Sequence, residues 1–187
     1  MKKAKKVLLL ALCAVLLVGA TIAGTVAYLT AKTAEVKNTF TAGNVAIDLK
    51  EYSVDPQTGK KDTATTVTGL ENLELIPGRE IEKNPFVTVP STSEDCYVFV
   101  KIVNGLEDAV TINGMQNWVE LGDGYYRYKD VVTAAQKDKP IDVFTSITCA
   151  NIDFSTIAAE TITITAYAVQ SEGVDEATAY DTVKGLQ

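Results

Sequence analysis

The segment Thr161-Ile162-Thr163-Ile164-Thr165-Ala166-Tyr167 alternates polar and apolar side chains almost without a break. A period of two suits a strand with one buried face and cannot build a single apolar stripe on a helix. The same period recurs along the chain. Val45, Ile47 and Leu49 alternate with Ala46, Asp48 and Lys50, which predicts a half-buried strand. Cys96, Val98, Val100 and Ile102 interleave with Tyr97, Phe99 and Lys101. That strand is apolar on both faces, so it is expected at the centre of a sheet. Phe86-Val87-Thr88-Val89 reads as a strand closed by Pro90, and Ile141, Val143 and Ile147 mark another that ends near Cys149. Residues 118–121 and 125–128 flank Gly122-Asp123-Gly124, a hairpin with a three-residue loop. Further turns are expected at Asp55-Pro56-Gln57-Thr58-Gly59, followed by a polar Lys/Thr stretch to Thr68, at Pro77-Gly78 and at Asn113-Gly114. Asp175 is placed to cap a short helix reaching Lys184, with Gly185 just past its end. About eight short strands with regular turns and no crossover helices imply an all-β fold. The expected architecture is an antiparallel jelly-roll-like β-sandwich with a short C-terminal helix. Periodicity does not supply the strand order.

The beginning of the chain obeys a different rule. Lys2, Lys3, Lys5 and Lys6 are followed by a run, residues 7–31, that carries no charge. A basic start, an apolar stretch and small residues near its end make a secretory signal. Gly19, Thr21, Gly24 and Thr25 weaken the second half of the run, and Thr25 and Ala27 offer small side chains at the −3 and −1 positions. Cleavage is therefore expected between Ala27 and Tyr28; a retained membrane anchor is the alternative, since 25 uncharged residues can span a bilayer. The expected organisation is a signal peptide over 1–27, an extended arm over 28–39 and a single jelly-roll-like domain over 40–187. The chain is expected to meet the membrane only before cleavage. Removing four Lys and no acid takes the net charge from −7 to −11.

Composition narrows the chemistry. With no His among 187 residues, Ser-His-Asp and Cys-His catalysis and imidazole-bound zinc are excluded. The acidic balance argues against a nucleic-acid partner, which needs clustered Lys and Arg. Cys96 and Cys149 lack a CxxC partner, and Asp55, Gln57 and Gly59 fall short of an EF-hand loop. No catalytic residue, metal site or cofactor is expected, and the chain is not read as an enzyme. Cys96 shares the register of Val98 and Val100, and Cys149 that of Ile147, so both thiols point into the core. Export permits a Cys96–Cys149 disulfide; two buried free thiols are the alternative. Trp118, Tyr125, Tyr126 and Tyr128 invite two readings, a platform for sugar rings or packing within the hairpin, and alternation favours packing because it sends some rings inward.

Two stretches carry a resemblance. Gly24-Thr25-Val26-Ala27-Tyr28-Leu29-Thr30, with Asn38-Thr39-Phe40-Thr41-Ala42-Gly43-Asn44-Val45-Ala46-Ile47-Asp48-Leu49, resembles the processing region of TasA/camelysin-type proteins. Leu75-Ile76-Pro77-Gly78-Arg79, the 118–128 aromatic segment with Phe144-Thr145-Ser146-Ile147, and Tyr167-Ala168-Val169-Gln170 are similar to further parts of that family. The resemblance departs where Ala31 stands in place of an acidic residue and in the lack of a long charged tail. It implies a Gram-positive, secreted protein whose signal is cut by a SipW-type signal peptidase. It also implies a structural subunit of extracellular fibres or biofilm matrix at the cell surface, partnered by itself or related matrix subunits. The metalloprotease activity attached to the name camelysin finds no support in these residues. The arm supplies the expected contact. It lacks Pro and Gly, so it can extend as a donor strand with Tyr28, Ala34 and Val36 on one face and Phe40 continuing it. A cell-surface glycan-binding module is the alternative function, and a secreted hydrolase a weaker one.

Overall fold

The computed structural model describes residues 45–70, 73–154 and 161–186. These belong to one compact unit. Ala27, Tyr28, Ala34, Val36 and Phe40 lie outside the described residues, and so do the expected signal and arm.

The described chain folds into strands β1 (Asp48–Val54), β2 (Lys61–Val67), β3 (Glu80–Ile81), β4 (Pro85–Thr88), β5 (Cys96–Asn104), β6 (Val110–Asn113), β7 (Trp118–Gly122), β8 (Tyr125–Tyr128), β9 (Ile141–Asp142), β10 (Ser146–Cys149) and β11 (Ile162–Gln170), followed by helix α1 (Glu176–Lys184). A 3-10 turn at Glu107–Ala109 precedes β6. Every pairing is antiparallel. The sheet orders are β2-β1-β4-β9, β3-β10-β6 and β11-β5-β8-β7. The fold is an all-β sandwich with one short C-terminal helix. Its jelly-roll character shows in nested partners: β7 pairs with β8, β6 around them with β10, and β5 outside both with β11. A long hairpin rolled onto itself gives this order.

One core joins the three sheets. Val87 and Ile141 from the first, Ile81, Val110 and Ile147 from the second, and Val98, Val100 and Trp118 from the third share a single buried cluster. The third sheet is covered on its other face too. Phe99 and Tyr125 pack there beneath Ala179 and Val183 of α1. The expected two-sided burial of β5 is therefore met, and its position between β11 and β8 is interior. Asp175 caps α1 as expected, its carboxylate accepting from the Thr178 N–H at 2.8 Å. Among the described residues no helix is long and apolar enough to cross a membrane.

Three details differ from the sequence expectations. The first strand starts at Asp48 rather than Val45. The polar stretch after Gly59 is strand β2, which pairs with β1. The hairpin loop closes on Asp123 and Gly124 alone, because Gly122 already pairs with Tyr125 across a bulge. Both loop residues have positive φ, 52° and 76°, which suits the tight hairpin turn that follows the strand twist. A side chain at position 124 would place its Cβ 2.5 Å from the Ile102 carbonyl oxygen, so only glycine fits.

Candidate functional site

The hairpin aromatics do not share a surface. Trp118 is 8% exposed and Tyr125 2%. Trp118 faces the sandwich core, its indole N–H donating to the Asp142 carbonyl at 2.8 Å and its ring edge-on to Tyr128 at 5.6 Å. Tyr126 and Tyr128 pack half-buried against the same core, and burial pushes both phenols up. Tyr125 points the opposite way, under α1, where it meets Tyr180 edge-on at 5.7 Å. Alternation splits the four rings between two buried layers, so they form no common platform for a sugar. Packing is the role the structure gives them.

Cys96 and Cys149 are buried free thiols. Cys96 opens β5, beside Gln170 and Val132, whereas Cys149 closes β10 beside Val110. Val110 follows the far end of β5, a nine-residue strand that spans ~30 Å at strand rise. The two cysteines lie on strands of different sheets that do not pair with each other, and a bridge needs Cα atoms within ~7 Å. Both cysteines point inward as expected, and of the two readings left open the structure has free thiols. Burial pushes the Cys96 thiol up to about 11, well into the unreactive range.

The Asp55 turn closes on itself. One Asp55 carboxylate oxygen accepts from the N–H groups of Gln57 at 2.8 Å and Thr58 at 3.3 Å, and these bonds hold its carboxyl below the usual range. No cluster of three metal-ligating side chains occurs among the described residues.

The surfaces with unspent bonding capacity are the sheet edges. Among the described strands, β2, β3, β6, β7, β9 and β11 each have one neighbour in their sheet, so one edge of each meets no other described strand. These edges differ. Strands β3 and β9 are two residues long and β6 is four. Strand β2 carries Lys61 and Asp62, and its register with β1 shifts at Tyr52/Ser53. Strand β7 is broken by the bulge between Glu120 and Gly122. Strand β11 has none of these features: it pairs with β5 over nine residues in unbroken register and carries no charge. Thr163 and Thr165 on it are exposed, while Ile162, Ile164, Ala166 and Ala168 pack half-buried on the core.

Between β11 and β1 the sandwich leaves a cavity of ≈ 90 Å³. Leu49, Pro85, Ile162 and Ile164 supply its apolar wall, and Lys50, Glu51, Thr68 and Lys83 its polar one. Glu51 and Lys83 form an ion pair there, with side chains only 8% and 10% exposed. The next residue, Asn84, is fully buried; it donates to the Phe144 carbonyl at 2.8 Å and accepts from Lys61 Nζ at 2.6 Å. Sequence reasoning missed this polar seam. The signal was present in the alternation of Val45, Ile47 and Leu49, which continues onto Glu51 and so aims a carboxylate inward.

A comparison with protein-family models finds no match, and none is found among curated proteins or solved structures.

Proposed function

We propose that this chain is a secreted structural subunit of extracellular fibres or a biofilm matrix, joined to its neighbours by donor-strand exchange through the arm, residues 28–38. The observation that supports this reading most is the set of open edges on a well-packed sandwich, which offer main-chain N–H and C=O groups to an added strand. The arm has the composition for that role: Thr and Val without Pro or Gly, with Tyr28, Ala34 and Val36 on one face. Cleavage after Ala27 by a SipW-type signal peptidase frees it from the membrane and acts as the switch for growth. A contact between an arm and a different surface of the next copy does not close, and it generates filaments. The buried aromatic hairpin lends nothing to the glycan-binding alternative.

The test has two parts. Intact mass of the exported protein should correspond to residues 28–187; a species retaining Lys2 to Lys6 would mean a membrane-anchored chain. Electron microscopy should then show filaments from the 28–187 form and folded, unpolymerised protein from Val36→Pro or from a form lacking residues 28–38. Filaments of normal yield from the truncated form would sink donor-strand exchange.

A further inference from the structure

We infer that β11 is a second, independent association surface, and that its occupant is the β11 strand of another copy, added antiparallel about a two-fold axis at Ala166. Natural sheet edges are protected from such pairing by shortness, charge, proline or bulges. The other long edges here carry one of these protections: charge in β2, a bulge in β7. β11 carries none across its nine residues. In an acidic chain of net charge −7, the stretch 161–171 has no charged side chain at all. Of the described edge strands longer than four residues, β11 is the one with no charged side chain, so two copies can meet along it without opposing like charges.

The side chains are self-complementary in that register. An axis at Ala166 sets Thr165 opposite Tyr167 of the second copy, and Ile164 opposite Ala168. The outer pair matches a β-branched residue with an aromatic one, which stabilises antiparallel neighbours. The inner pair matches large with small over the core. Ile162 and Ile164, half-buried beside the β1–β11 cavity, would be covered by the same addition. The third sheet would then run continuously through both copies, from one β7 to the other. An isologous contact of this kind closes after two subunits, so it couples molecules side by side and is separate from end-to-end growth through the arm.

The experiment uses residues 28–187 carrying Val36→Pro, in which the arm is disabled as a donor. Sedimentation equilibrium should show a monomer–dimer equilibrium. It should strengthen as salt rises from 0.1 to 1 M, because the Debye length falls from ~10 to ~3 Å and the two acidic bodies repel less. Thr163→Lys with Thr165→Lys changes only exposed positions of β11. That double variant should keep the parent's melting temperature and weaken the dimer at least tenfold. Thr165→Cys should cross-link to itself with a short bis-maleimide, since the two residues would lie ~7–8 Å apart on the diagonal. A dimer unaffected by the lysines, or a monomer at every concentration, would overturn the proposal. A dimer lost instead on deleting residues 28–38 would give the edge to the arm. Filament formation by the parent with intact Val36 is scored separately, so the donor-strand reading stands or falls on its own.

Discussion

Glu51 and Lys83 show how much one pair of side chains can stake. Their ion pair is almost wholly shielded from water, and desolvating two charges offsets most of what their attraction contributes. Removing one partner is worse than removing both. Lys83→Met should cost ~3–5 kcal/mol, because it leaves the Glu51 carboxylate buried without its cation. Adding Glu51→Leu should recover most of that loss. Urea unfolding of the two variants checks both statements; a double variant no better than the single one would mean the pair is not the source of the cost. Cys96 makes a pH prediction at the same scale. Its thiol is raised from 9.0 to about 11 by burial. Below pH 9 the thiol is neutral in both states, so it adds no pH dependence. Between pH 9 and 11 the unfolded chain ionises first, and stability falls across that window. Native protein at pH 8 should resist iodoacetamide at Cys96 and react only once unfolded. The inward aim of both cysteines was legible from register alone. Whether they pair was not, because periodicity says which way a side chain points and nothing about which strands are neighbours.

Elements were legible in proportion to how unevenly they are buried. Strands β5 and β11 and helix α1 announced themselves through alternation or a cap, since burial on defined faces leaves a pattern in the sequence. Strand β2 left none: Asp62 to Thr66 are all exposed, and its place comes from backbone pairing with β1. The breaks between β3 and β4, and between β9 and β10, likewise depend on neighbours rather than on local composition. Helix α1 offers a sharper test. Asp175 is held below the usual carboxylate range chiefly by the hydrogen bond it accepts from the Thr178 N–H. A lowered folded value means that this contribution is present above the unfolded value, 3.8, and is lost as pH falls through the folded one. Below about pH 3.8 the helix should loosen from Phe99 and Tyr125 before the sandwich opens. Asp175→Ala should loosen it at neutral pH as well. Asp175→Asn should keep the cap, since asparagine also accepts, and abolish the acid dependence. Hydrogen exchange of the α1 amides distinguishes the three cases.

At the scale of the whole molecule, the sequence pattern led to the right class of fold because an all-β chain without crossover helices has few other ways to bury its strands. The candidate site was less accessible to it. The resemblance directed attention to the arm, whereas β11, the least protected described edge, became evident only once its single neighbour was known.

The nesting of the pairs also sets an order in time. Strand β5 acquires one partner, β8, from nearby in the chain, but its other flank waits for β11, the last of the described strands in chain order. Contacts that join distant segments form late and make folding slow, on the millisecond-to-second scale for sandwiches. A growing chain would therefore remain incomplete until residue 170 had left the ribosome.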